Sequence, residues 1–143
     1  MNGSRLRKRG VVRTMADCVL DASALLALIF EEPGRDRVAE TVPGASVSAI
    51  NLAEAATRLL DVGIPRETIM QIFEELQLSV VAVDAEQAML AADFRAPTRT
   101  AGLSLGDRVC MALARHLCVP ALMADRQWAE VAEAVSVEVV LVR

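Results

Sequence analysis

Four acidic residues stand where an apolar run gives way to a helical pattern. They are Asp21 after the run at 18–20, Glu54 after 47–50, Asp107 after 103–105 and Asp125 after 121–124. Ligands of open α/β sheets bind beyond the carboxyl ends of the strands, so we expect the four side chains to meet in one crevice. Carboxylates crowded in a partly desolvated cleft repel one another, and oxygen ligands suit a hard cation such as Mg²⁺ or Mn²⁺. The cluster therefore predicts metal-dependent hydrolysis of phosphodiesters.

Each of the four acids also has an ordinary structural explanation. The first and the last could simply cap the helices that follow them. Ser104 and Asp107 have the spacing of a capping box, in which the serine and the acid bond to each other's backbone N–H groups. Glu54 lies four residues before Arg58, which favours an ion pair on an exposed helix face. The functional interpretation therefore depends on all four acids recurring together at helix starts.

Other catalytic chemistries find few candidate residues. His116 is the only histidine, and it lies nine residues after Asp107, about 13 Å along a helix. That distance disfavours a ribonuclease mechanism with two histidines. The nucleophilic-serine and nucleotide-binding glycine motifs are missing from the sequence. Cys18, Cys110 and Cys118 lie in apolar surroundings, which predicts buried thiols rather than disulfides or a zinc site.

The 143 residues divide by charge into a short basic segment and an acidic remainder. Five of the 15 basic residues and no acid fall within residues 1–14, so residues 15–143 carry 10 basic and 19 acidic side chains. We expect a flexible tail at 1–14 and a single domain at 15–143. An acidic domain is poorly suited to non-specific nucleic-acid binding. The longest clean apolar run, residues 24–30, is too short for a secretory signal or a membrane span, which predicts a cytoplasmic protein.

Apolar strand patterns alternate with amphipathic helix patterns along the chain. Strands are predicted at 19–20, 45–48, 79–83, 120–124 and 137–142. Helices are predicted at 22–32, 35–42, 49–62, 65–77, 85–94, 104–117 and 126–134, with a loop at 95–102. Such alternation is typical of an α/β fold with a mainly parallel central sheet.

Four segments around the acids resemble the PIN-domain family, and most closely its VapC-type toxins. They are VLDASALLA at 19–27, SAINLAE at 48–54, GLSLGDRVCMALA at 102–114 and MADRQW at 123–128. The resemblance implies a three-layer α/β/α sandwich and an Mg²⁺- or Mn²⁺-dependent endoribonuclease. It further implies the toxin of a type II toxin–antitoxin pair, homodimeric and neutralised by a small cognate antitoxin protein.

The resemblance also assigns roles to individual residues. Asp21 and Asp107 match the principal metal-binding aspartates of the family, and Glu54 and Asp125 match the other two acids of its quartet. One divalent ion would be held by the first pair, with the second pair binding it through water or holding another ion. Ser23 matches a hydroxyl residue that is common two positions after the first aspartate.

One position departs from the family pattern. Met123 stands where these proteins usually have Thr or Ser, and a thioether donates no hydrogen bond to support a neighbouring acid.

The candidates for binding RNA phosphates are Arg108, Arg126, Arg95 and Arg99, with solvated surface charge as the alternative. Two other functions remain open: a metal-dependent nuclease of DNA or structured junctions, and a catalytically silent binding module.

Overall fold

A computed structural model of the chain describes residues 18–143, so the predicted basic tail at 1–14 lies outside the described residues. The strands are β1 (Val19–Leu20), β2 (Ser46–Ser48), β3 (Ser79–Val81), β4 (Ala121–Met123) and β5 (Val139–Leu141). The α-helices are α1 (Ala22–Ile29), α2 (Arg35–Ala39), α3 (Ala49–Asp61), α4 (Arg66–Leu76), α5 (Ala85–Asp93), α6 (Arg95–Thr98), α7 (Leu105–Leu117) and α8 (Ala132–Val135). Two 3₁₀ helices cover Arg99–Ala101 and Arg126–Glu130.

The strands form one parallel sheet in the order β3-β2-β1-β4-β5. Val19 of the central strand pairs with Ser46 on one side and with Ala121 on the other. The chain leaves β1 toward β2 and leaves β4 toward β5, so the connections diverge between β1 and β4. A divergence of this kind opens a crevice at the carboxyl edge of the sheet, where ligands of α/β proteins bind.

Helices cover both faces of the sheet because successive strand residues point to opposite sides. Val19, Ala121 and Met123 belong to one buried cluster with α5, α7 and α8. Leu20 and Leu122 belong to a second cluster with α1, α2, α3 and α4. The molecule is thus a three-layer α/β/α sandwich, and the predicted fold class is confirmed.

The predicted loop at 95–102 is wrong, because the segment contains α6 and the first 3₁₀ helix. Pro97 lies in the first turn of α6, where its missing N–H costs no helical hydrogen bond. The buried Thr98 donates its hydroxyl to the carbonyl of Phe94 at 2.7 Å, which closes the turn. The helix predicted at 126–134 is likewise split into a 3₁₀ helix and α8, and Val131, with φ −113°, stands between them.

The prediction of buried cysteines is confirmed for two of the three residues. Cys18 and Cys110 are buried as expected, whereas Cys118 is exposed because it caps the end of α7 in a left-handed conformation, with φ 57°. Among residues 18–143, no helix combines the length and the apolar character that crossing a bilayer requires.

Candidate active site

Asp21 lies at the end of the central strand, where β1 passes into α1. Its backbone N–H donates to the carbonyl of Leu122 at 2.9 Å, which fixes the position of the residue between β1 and β4. Its Oδ2 accepts from the backbone N–H of Ser23 at 3.1 Å and from the Ser23 hydroxyl at 2.6 Å. The same hydroxyl accepts from the N–H of Ala124 at 3.0 Å. Ser23 therefore links the Asp21 carboxylate to Ala124, the residue that follows β4.

The environment of Asp21 opposes a negative charge. Only 5% of the residue is exposed, and burial raises the pKa of its carboxyl to about 6. The two hydrogen bonds from Ser23 oppose that shift, and the nearby charges of Asp107 and Glu54 add to it. A carboxylate held ionised at neutral pH in this place is stabilised by a cation.

The side chain of Asp107 both caps α7 and lines the candidate site. Its backbone N–H donates to Ser104 Oγ at 3.1 Å, and its Oδ2 accepts from the Ser104 N–H at 2.9 Å, so the capping box is formed. Partial burial raises the pKa of this carboxyl as well; the Ser104 bonds oppose the shift and the charge of Asp125 adds to it. Capping and site lining are therefore combined in one side chain.

Glu54 is held by a contact between α3 and α7 that the sequence does not predict. Asn51, which is fully buried, donates its Nδ2 to Glu54 Oε1 at 2.9 Å and to the carbonyl of Gly106 at 3.0 Å. A Cβ added at Gly106 would lie 2.6 Å from the Glu54 carboxyl carbon. The carboxylate thus occupies space that exists only because residue 106 has no side chain.

Three of the four predicted acids share one open cleft of about 460 Å³. The cleft is lined by Asp21, Ala22, Ser23, Leu26, Glu54, Thr57, Arg58 and Asp107. Asp125 is exposed outside this lining, and its Oδ1 accepts from the N–H of Gln127 at 2.9 Å as a helix cap. Asp125 follows β4, which pairs with the strand that ends at Asp21, so it lies near the rim of the cleft, and its charge adds to the raised pKa of Asp107.

The acids do not all reach the cleft in the predicted way. Asp21 and Asp125 follow the ends of β1 and β4, whereas Glu54 and Asp107 project from the first half of α3 and the first turn of α7. None of the four arginines predicted to bind phosphate, Arg95, Arg99, Arg108 and Arg126, lines the cleft, and Arg108 donates its Nη1 to the carbonyl of Ala91 at 3.0 Å and so contacts α5.

The chemistry of the cleft suits a hard divalent cation. Its carboxylates supply oxygen ligands alone, and the buried Cys110 beneath them has its pKa raised by burial and by the three acids, so it stays a neutral thiol. Each cleft carboxylate is hydrogen-bonded to its own local donor. Across residues 18–143, no three His, Cys, Asp or Glu side chains stand together as a complete metal-binding group. Asp21, Glu54 and Asp107 are nevertheless the carboxylates that line the cleft, so they are its candidate ligands for such an ion.

The fold is shared with several solved proteins. The DNA-bound VapBC of Salmonella typhimurium has a TM-score of 0.69 at 15% identity, over 90% of this chain and 100% of that chain. A toxin–antitoxin complex from Klebsiella pneumoniae has a TM-score of 0.68 at 16% identity, over 88% and 98%. Mycobacterium tuberculosis VapC20, described as a sarcin–ricin loop cleaving toxin, has a TM-score of 0.66 at 19% identity, over 79% and 93%.

Sequence comparison assigns the family. No curated protein sequence matches the chain significantly. The profile of the PIN domain matches residues 18–134, which include all four predicted acids and most of the described chain. With the parallel sandwich and the acidic cleft at its carboxyl edge, this match means that the chain belongs to the PIN-domain family.

Proposed function

We propose that this protein is an Mg²⁺- or Mn²⁺-dependent endoribonuclease that acts as the toxin of a toxin–antitoxin pair. The observation that carries the proposal is the convergence of Asp21, Glu54 and Asp107 on one cleft at the carboxyl edge of the sheet. Membership of the PIN-domain family supports the nuclease activity. The similarity of the fold to VapBC complexes supports a cognate antitoxin as partner.

In this proposal Asp21 and Asp107 bind the ion, and Glu54 and Asp125 bind it through water or hold a second one. The bound ion would supply Lewis-acid chemistry, lowering the pKa of water and stabilising charge on the phosphate oxygens. Ser23 keeps one oxygen of Asp21 fixed, and Ser104 does the same for Asp107.

Glu54 is suited to accept the proton of the attacking water. Asn51 engages only its Oε1, so Oε2 remains for that proton. Water attacks the phosphorus in line, the bond to the 3′ oxygen breaks, and that oxygen takes up a proton. The products would be a 5′-phosphate and a 3′-hydroxyl.

Incubation of the purified protein with total RNA tests the proposal directly. RNA fragments should appear with Mg²⁺ and disappear with EDTA or with Asp107→Asn. Asp84→Asn is a matched control, because Asp84 caps α5 through the N–H of Gln87 at 2.8 Å and does not line the cleft. If Asp107→Asn cuts RNA as fast as the unaltered protein, the assignment is wrong.

Two further assays separate the rival functions. Single-stranded RNA and DNA of matched sequence, presented together, distinguish a ribonuclease from a nuclease of DNA or junctions. For a silent binding module, growth inhibition on overexpression would be unchanged by Asp21→Asn. The homodimer and the cytoplasmic location are part of the proposal, and the mass of the purified protein in solution tests the first of them.

A further inference from the structure

The arginines of residues 18–143 fall into two groups. All ten basic residues in this range are arginines. Five bond to the protein itself: Arg35, Arg37, Arg108, Arg115 and Arg143. The other five form no hydrogen bond or ion pair with the described residues: Arg58, Arg66, Arg95, Arg99 and Arg126. Of this second group, Arg58 alone lines the cleft of the three carboxylates.

Arg58 is left without a partner although an acid stands one helical turn away. The spacing of four residues from Glu54 favours an ion pair, yet no ion pair joins these two described residues. The Glu54 carboxylate is instead held by Asn51 and seated against Gly106. The exposed guanidinium of Arg58 is therefore available to a ligand that enters the cleft.

The cleft also needs a positive charge if a nucleic acid is to enter it. Three carboxylates repel a phosphodiester, and among residues 18–143 Arg58 is the one basic residue in the lining. A guanidinium presents a planar fork of N–H donors that matches the oxygens of a phosphate. The distance of one helical turn from Glu54, about 6 Å, is short enough for both residues to act on the same stretch of backbone.

We propose that Arg58 binds a phosphate of the RNA strand at or next to the scissile bond. This inference rests on the proposed function and deepens it, because it names a substrate-binding residue that was not among the arginines selected from the sequence. Those arginines either contact α5, as Arg108 does, or lie outside the cleft lining, as Arg95, Arg99 and Arg126 do.

RNA binding provides the test, with variants made in an Asp107→Asn background so that the strand stays intact. The probe is a short, fluorescently labelled single-stranded RNA in buffer with Mg²⁺, measured by anisotropy over a range of salt. Arg58→Ala should weaken binding about tenfold or more, as expected for loss of a charged hydrogen bond. It should also reduce the slope of log K against log salt by about 0.7, the value for one phosphate contact on a single strand. Arg58→Lys should be intermediate, because it keeps the charge and loses the fork.

Arg66→Ala is the matched control. Arg66 is equally exposed and unpartnered among the described residues, but it lines the separate apolar groove between α3 and α4. Binding within twofold of the parent is expected for this variant. Both alanine variants should melt at the temperature of the parent, because alanine favours a helix and neither arginine forms a hydrogen bond or ion pair with the described residues.

The result that would overturn the inference is an Arg58→Ala protein with unchanged affinity and an unchanged salt slope. In the cleavage-competent protein, Arg58→Ala should raise KM while kcat stays within about threefold, the pattern of lost substrate binding. If RNA is cut but Arg58→Ala binds normally, the nuclease proposal stands and this inference is wrong. If RNA is bound through Arg58 and never cut, this inference stands and the nuclease proposal is wrong.

Discussion

Replacing Gly106 by alanine tests the link between α3 and α7. Gly106 is buried in the first turn of α7, and the three atoms nearest to an added Cβ all belong to the Glu54 carboxylate, with the carboxyl carbon at 2.6 Å. No backbone atom is among these three nearest contacts. We therefore expect the flexible carboxylate to move and the helices to remain in place.

The expected effect on stability is small because two contributions oppose each other. Alanine in place of glycine within a helix stabilises by roughly 0.5–1 kcal/mol. Displacing Glu54 breaks its bond from Asn51, 2.9 Å long, which we estimate at about 1 kcal/mol for an acid exposed to solvent. The free energy of unfolding should therefore change by less than about 1 kcal/mol. RNA cleavage should fall at least tenfold, because the carboxylate leaves its position in the cleft.

A double-mutant cycle with Glu54→Ala separates the two contributions. Glu54→Ala removes the three atoms that lie nearest to the added methyl group. In that background Gly106→Ala should therefore stabilise the protein by roughly 0.5–1 kcal/mol. The coupling energy between the two sites should be about 1 kcal/mol. Urea unfolding of the four proteins measures the cycle, and initial rates on RNA measure the activity. A Gly106→Ala protein with unaltered cleavage, or additive free energies, would show that Glu54 does not depend on this space.

Three further predictions follow from the pKa of Asp21 and from the turns. In EDTA, the raised pKa means that the folded state binds a proton more tightly, so this contribution to stability is full below pH 3.8 and is lost as pH rises through about 6. Urea unfolding from pH 4 to 7 should therefore show Asp21→Asn gaining about 2 kcal/mol over the unaltered protein, whereas a constant difference would contradict the assignment. Ser23→Ala removes a bond that lowers this pKa, so in EDTA the loss of stability with rising pH should move to a higher pH; an unmoved midpoint would disprove the role. Gly34→Ala and Gly63→Ala both strain a positive φ, of 97° and 94°, by about 1–2 kcal/mol. Only the first also brings a Cβ to 2.5 Å from the carbonyl oxygen of Val142, so it should lose about 2 kcal/mol more in urea unfolding, and equal losses would contradict the packing.

The sequence predicts the central part of the site because local rules place those acids. Asp21 directly follows a strand, and the parallel sheet carries that residue to its carboxyl edge. Ser104 and Asp107 have capping-box spacing, and the box forms as predicted. These features depend on neighbours within a few residues, so they can be recognised without knowing the fold.

What the sequence leaves unpredicted depends on contacts between distant segments. Asn51 and Gly106 are 55 residues apart, and neither residue alone indicates that a buried amide joins them. The same limit applies to Arg58: its spacing favours an ion pair with Glu54, whereas in the structure Asn51 bonds to that carboxylate and no ion pair joins the two residues. Pro97 and Gly102 predict a loop at 95–102, whereas the segment forms helical turns in which the buried Thr98 bonds to the carbonyl of Phe94.

The electrostatics of the cleft give the strongest reason to expect a cation there. Asp21 and Asp107 both have raised pKa values with burial as the main cause; the charge of Asp107 adds to the shift at Asp21, and the charge of Asp125 adds to the shift at Asp107. The arginine nearest in sequence, Arg108, donates its Nη1 to the carbonyl of Ala91, so it does not pair with either carboxylate. Buried acids whose pKa values stay raised despite local hydrogen bonds are expected at functional sites. A divalent ion between Asp21 and Asp107 would offset that cost while supplying the chemistry of the proposed reaction, so one ligand would account for both the strain and the function.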